Sequence, residues 1–181
     1  MIHRLGHLLL TGILRTTATT PLVVGKAWDP DRGHFRDIQL DYAALLSMQD
    51  GSFEAQASVL LCRDPDGRIR RYPGSDCQPD RRANTFSSEI SAAMGNRQDW
   101  SGLIDYRQGP EFAYVPLQDL FALAEAGDTA RLAELLGAKA VLLGTVLEDT
   151  DLVEVPVPLA EWRPGNHRVP GVLVHAQILR N

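Results

Sequence analysis

A mixed α/β fold, a sheet flanked by helices with an antiparallel hairpin toward one edge, is what this sequence predicts, and three observations carry it. Short apolar runs, Leu22-Val23-Val24 and Lys139-Ala-Val-Leu-Leu-Gly144, alternate with helix-length segments punctuated by Thr, Pro and Gly. The tetrapeptide Asp64-Pro65-Asp66-Gly67 separates two strand-like stretches, Ala57–Arg63 and Arg68–Tyr72. Proline presets the first turn dihedral there and glycine supplies the positive one, so the stretches are joined tightly. The composition, 44% hydrophobic and 23% charged over 181 residues, is that of a globular chain long enough to bury one sizeable core.

The elements follow in order. Ile2–Leu14 places apolar residues at 2, 5, 8, 9, 10, 13 and 14, a helical stripe that Pro21 stops. Leu22–Gly25 reads as a buried strand, and Trp28–Gln39, with Asp29-Pro30-Asp31 and Gly33, as a loop. Asp41 caps a short helix through Met48. In the second hairpin arm Ile69 faces one side and Arg68 and Arg70 the other, which leaves one face wet and puts the hairpin near an edge. Thr85, followed by Ser88-Glu89 and apolar Ile90, Ala93 and Met94, starts a capped helix that Gly95 ends. Leu103–Tyr106 reads as a strand. Pro116 opens a helix through Ala124, and Thr129–Leu136 forms another with Gly137 past its end. Val141-Leu142-Leu143 is apolar on both faces, so the Lys139–Gly144 strand is expected at the centre of the sheet. A last helix starts after Pro170-Gly171 and reaches Asn181, where it reads as the exit of a domain whose chain continues.

Charge and motif content narrow the function. With 18 basic and 23 acidic residues the net charge is -5, and Arg68, Arg70, Arg71, Arg81 and Arg82 read as a solvated face, so no nucleic-acid partner is expected. Thr11 and Gly12 interrupt Leu8–Leu14, and no apolar stretch is long enough to span a bilayer. Cys62 and Cys77 admit two readings. In an oxidising compartment they close a loop of about fifteen residues, stabilising by about 3 kcal/mol; otherwise Cys62 is a small buried hydrophobe and Cys77 a loop thiol.

Catalytic patterns are sparse. The sequence has no Gly-x-Ser-x-Gly elbow, and His3, His7, His34, His167 and His175 fit no HExxH spacing. His3 and His7 lie four apart near a terminus, where a solvated pair outweighs a metal site. Gly144 follows a strand without the further glycines of a phosphate cradle, and Glu148, Asp149 and Asp151 would repel phosphate. That acidic turn reads first as solvated; alternatively its carboxylates hold a cation, a polyol or an amine at the strand end. For His175 a structural hydrogen bond outweighs ligand binding. Arg107 either clamps a carboxylate or pairs with Asp105, the latter favoured. No cofactor is expected.

Taken together and in this order, Asp64-Pro-Asp-Gly67-Arg-Ile-Arg-Arg71, Phe86 with its helix, Ile104-Asp-Tyr-Arg107 with Gly109-Pro110, Lys139–Gly144, and Pro170-Gly171-Val172 with His175-Ala176 carry a likeness. They resemble the type-two CHASE domain, a cyclase- and histidine-kinase-associated sensory extracellular domain. Its members show a D-x-D-G-x-x-R hairpin, an I-x-Y-x-G-P strand, a K-x-V-L-I-G strand followed by an Asp-bearing loop, and a P-G-V-E-I-H-A helix start. The likeness covers roughly Val59–Leu179 and departs from the family pattern at Leu173 and Gln177.

The resemblance implies a non-enzymatic, extracytoplasmic input domain that senses an unknown small-molecule or protein signal. Flanking membrane segments and a cyclase, kinase or phosphatase output would be attached in the full-length protein, and homodimerisation is compatible with it. Arg107, Asp149, Asp151 and His175 are the expected ligand-binding residues, and Cys62 with Cys77 the expected disulfide of an exported chain. Residues 1–181 are expected to form a single sensor domain, without the strand-helix-strand segment with which members begin. The rival readings are a soluble protein-interaction module and a small hydrolase or transferase using Asp149, Asp151 and His175.

Overall fold

The structure is a computed structural model that describes residues 23–29, 31, 33–35, 56–74, 77, 84–96, 98, 100–146 and 151–181. The helices expected over Ile2–Leu14 and Asp41–Met48 lie outside them. The chain gathers into two compact units, Met1–Cys62 with Pro73–Ser101, and Arg63–Tyr72 with Gly102–Asn181. Parallel and antiparallel strand pairs accompanied by helices make the fold α/β.

In the first unit β1 (Val24–Lys26) runs parallel to β4 (Gln56–Ser58), with Gly25 opposite Ala57. A Cβ on Gly25 would collide with the Val59 side chain, so the strand needs a glycine there. The expected loop, Trp28–Gln39, instead contains an antiparallel pair, β2 (Trp28–Asp29) and β3 (His34–Phe35). Gly33, at φ 69°, directly precedes β3, and the two-residue strands are too short to show periodicity. Helix α1 (Phe86–Ala93) starts where expected: Thr85 Oγ1 accepts from Ser88 N at 3.2 Å. Its buried side is polar, formed by Ser87, Glu89 and Ser91, and Met94 is exposed. Cys62 and Cys77 are joined by a disulfide, with Cα atoms 5.8 Å apart.

The second unit begins at the Asp64–Gly67 turn. Gly67, at φ 84°, donates its N–H to Asp64 O at 2.8 Å, and Asp64 N donates to Arg68 O. The arms then part. Ala57 and Ser58 of the first pair with β1, while the second arm bridges in parallel to Glu154 through Arg68 and antiparallel to Leu103 through Arg71. Arg70 explains the spacing of the turn's acids: its Nη1 meets Asp64 Oδ2 at 2.9 Å and its Nη2 meets Asp66 Oδ2 at 2.6 Å. The hydrogen bond from Arg70 holds the Asp66 carboxyl well below the usual carboxylate range.

Beside that arm, β5 (Leu152–Glu154) pairs antiparallel with β6 (Arg168–Pro170), two strands that the sequence pattern does not announce. Ile69, Ile104, Val153, Val155, Val169 and Val174 form the buried centre. Tyr106 joins them by donating its hydroxyl to Ile69 O at 2.8 Å, and burial pushes that phenol's pKa up. Leu103–Tyr106 keeps the expected in-out alternation, with Ile104 and Tyr106 inside, but contributes a single bridge rather than a strand. Helix α4 (Gly171–Arg180) lays Gly171, Val174, His175 and Ile178, one stripe at helical spacing, into this core.

Helices α2 (Leu117–Glu125) and α3 (Thr129–Leu136) pack on each other and bury none of their residues. Asp128, whose carboxylate accepts from Arg131 N at 3.0 Å, caps α3, and Lys139 Nζ closes its far end on Glu134 O and Leu135 O. The lysine of the expected central strand is therefore a helix cap. The run that follows it overturns the expectation: residues 140–146 form no strand or bridge among the described residues, and Val141 is 60% and Leu143 80% exposed. An apolar run fixes neither a partner nor a register, and Gly144 here lies against Val172 of α4, where a Cβ would come within 2.8 Å.

Candidate functional site

Helix α4 organises every expected ligand residue that the structure describes. Its start is written in Pro170-Gly171: proline, at φ -56°, occupies the cap position, which makes no side-chain hydrogen bond. Asp151, the residue before β5, fills the vacancy. Its backbone carbonyl accepts from Gly171 N at 2.9 Å, and its carboxylate packs on Gly171 so closely that a Cβ there would lie 2.9 Å from Oδ2. Asp151 holds φ 55°, a left-handed conformation that aspartate tolerates better than most side chains.

Two effects compete at this carboxylate. Burial disfavours its charge, whereas Arg63 and the Gly171 N–H favour it, and burial wins, so its pKa is raised from the ordinary 3.8. A folded-state pKa above the unfolded one stabilises the fold while the group is protonated. That contribution is full below 3.8 and is lost as pH rises through the raised value. Asp151→Asn removes the charge and keeps a residue suited to positive φ. In urea titrations it is expected to gain stability relative to the parent chain between pH 3.5 and pH 7; a relative loss would show that the helix N-terminus and Arg63 dominate instead.

His175 sits one turn further along α4, on the same face as Gly171, and is 3% exposed. Asp149 lies outside the described residues. Arg107 belongs to the loop at the other end of the helix, is 90% exposed, and contacts Asp105 through Nε at 3.8 Å and through its backbone N–H at 3.0 Å. Asp151 and the Arg107 loop are thus separated by the length of α4, about 14 Å at 1.5 Å per residue.

The densest polar structure lies at that second end, where Gln177, Arg180 and Asn181, to which the sequence assigned no binding role, meet the Asp105–Pro110 loop. Gln177, fully buried, donates through Nε2 to Asp105 O at 2.7 Å and Gln108 O at 3.1 Å. Arg180 donates through Nη1 to Gln108 O at 3.0 Å and Pro110 O at 2.6 Å and stacks over the Phe112 ring, 3.8 Å from its centroid. Asn181 Oδ1 accepts from both Tyr72 Oη and Asp105 N at 2.7 Å, and its Nδ2 donates to Asp105 O at 3.2 Å. Tyr72 has a raised pKa, first through burial and then through Asp105. Among the described residues no cluster of His, Cys, Asp or Glu has metal-binding spacing, and no helix is long and apolar enough to cross a membrane.

The CHASE2 domain family model matches residues 10–181, across both units. No curated protein and no solved structure shows significant similarity to the chain. The motifs noted in the sequence now have physical parts: the paired acids brace Arg70, Lys139 caps α3, and Pro170-Gly171 opens α4 beneath Asp151. The chain belongs to the CHASE2 domain family, sensory extracellular domains of signalling proteins rather than catalysts.

Proposed function

We propose that this chain is the extracytoplasmic input domain of a membrane-bound signalling protein, one sensor domain built from both units, which relays a small-molecule or protein signal to a cyclase, kinase or phosphatase output. The observation that carries the reading is the family match over residues 10–181. The packing of α4 supports it physically, because a helix with six buried residues can pass on a displacement that a frayed tail would dissipate. Ligand contacts are proposed at Arg107, which is exposed, at Asp151, whose carboxylate is partly covered where it packs on Gly171, and at Asp149; His175, being buried, would be reached only after α4 shifts.

Protease added to intact spheroplasts expressing the full-length protein tests location. The domain is expected to be cut while a cytoplasmic marker survives. Protection of both would overturn the sensor reading in favour of an intracellular interaction module, for which the exposed Leu117, Phe121, Val141 and Leu143 offer contact surface.

A further inference from the structure

We propose that the last turn of α4 and the backbone of the Asp105–Pro110 loop form a polar latch that fixes the helix end, and that a signal acting on the loop's exposed side chains is relayed by opening it. This rests on the sensor reading and names the coupling element within it. The division of labour inside the loop is the central observation. Gln177, Arg180 and Asn181 bind its main chain, through Asp105 N and the carbonyls of Asp105, Gln108 and Pro110. The side chains of Asp105, Arg107 and Gln108 remain exposed. A ligand or partner can therefore grip the loop without competing for the helix contacts, yet any change in loop backbone alters the acceptors on which the helix depends.

The rest of α4 is held differently. Beside His175 the face it lays into the core carries Leu173, Val174 and Ile178, and apolar packing is non-directional, so orientation at the last turn is set chiefly by the hydrogen bonds. Gly109 shows how closely the parts fit. At φ 78° it brings the loop against Arg180, and a Cβ would lie 2.7 to 2.9 Å from the guanidinium and its stem. Tyr72 extends the latch to the chain beyond the Asp64–Gly67 turn, since its hydroxyl and Asp105 N share one oxygen of Asn181.

Coupling of this kind is reciprocal, which makes it measurable without knowing the signal. Amide hydrogen exchange on the 181-residue chain is compared for the parent, the helix-side variant Asn181→Ala, the loop-side variant Gly109→Ala and the double variant. Gly109→Ala is expected to speed exchange at Leu179, Arg180 and Asn181 at least ten-fold though it changes no helix residue, and Asn181→Ala to speed exchange at Gln108 likewise. The double variant should speed exchange by less than the product of the two single effects. Tyr72→Phe, a milder change, should shift both sides in the same direction if Gly109→Ala fails to fold. Acceleration confined to the mutated side, or effects that simply multiply, would overturn the latch. Neither result depends on where the domain resides, so the latch and the sensor reading fail separately.

Discussion

Truncating Ile178 to alanine is expected to lower the unfolding free energy by about 3 to 4 kcal/mol, within the range for emptying a fully packed aliphatic site. Ile178 is 1% exposed and closes the stripe begun by Gly171, Val174 and His175, so the lost atoms leave a cavity and not a solvent-filled notch. For a domain of ordinary stability, about 5 to 15 kcal/mol, that is a large fraction. Ile178→Val, which removes one methyl, should cost about 1 kcal/mol and serves as the graded control. Urea denaturation followed by circular dichroism gives both values. A cost below 1 kcal/mol for the alanine variant would mean that α4 is not seated in the core, and the idea of a helix able to pass on a displacement would go with it.

What the sequence could convey depended on whether a signal was local. Helix α3 has the bounds its pattern predicts, Thr129–Leu136, and Thr85 caps α1, because capping and periodicity are decided within a turn or two of chain. The Asp64–Gly67 turn is equally local. Where its arms go is not: Arg68 bridges to Glu154 and Arg71 to Leu103, partners that a turn signal does not name. The same limit explains the miss at residues 139–146. Three consecutive apolar side chains suit a central strand, but nothing in them specifies a neighbour; Val141 and Leu143 are exposed, and only the Gly144 that ends the run is seen against Val172. Strands β5 and β6, three residues each, carry too little alternation to stand out.

The candidate site divides along the same line. Pro170-Gly171 was visible because helix starts have a composition, whereas Asp151, read as part of a solvated acidic turn, reaches Gly171 only through tertiary packing. The latch was hidden because Gln177, Arg180 and Asn181 bind main-chain carbonyls some seventy positions away, and a backbone carbonyl has no residue type. Two of the expected ligand residues, Asp151 and Arg107, turn out to mark opposite ends of one helix, an arrangement set by tertiary packing alone.

Removing the Cys62–Cys77 bond should cost about 3 kcal/mol, the loop-closure value for a separation of 15 residues. The stabilisation comes chiefly from the unfolded chain, whose freedom the crosslink restricts, and the segment it closes gives that freedom structural meaning. Both cysteines belong to the first unit, whereas Arg63–Tyr72 between them belongs to the second and supplies it with Ile69, the Arg70 brace and Tyr72. Without the bond, those residues must be ordered from a longer, unconstrained excursion. The double variant Cys62→Ser/Cys77→Ser is expected to shift the urea midpoint down, and dithiothreitol should shift the parent chain by the same amount while leaving the variant unchanged. Equal midpoints for the parent with and without reductant would show the thiols to be free, which removes both this stabilisation and the argument from oxidation toward an extracytoplasmic location.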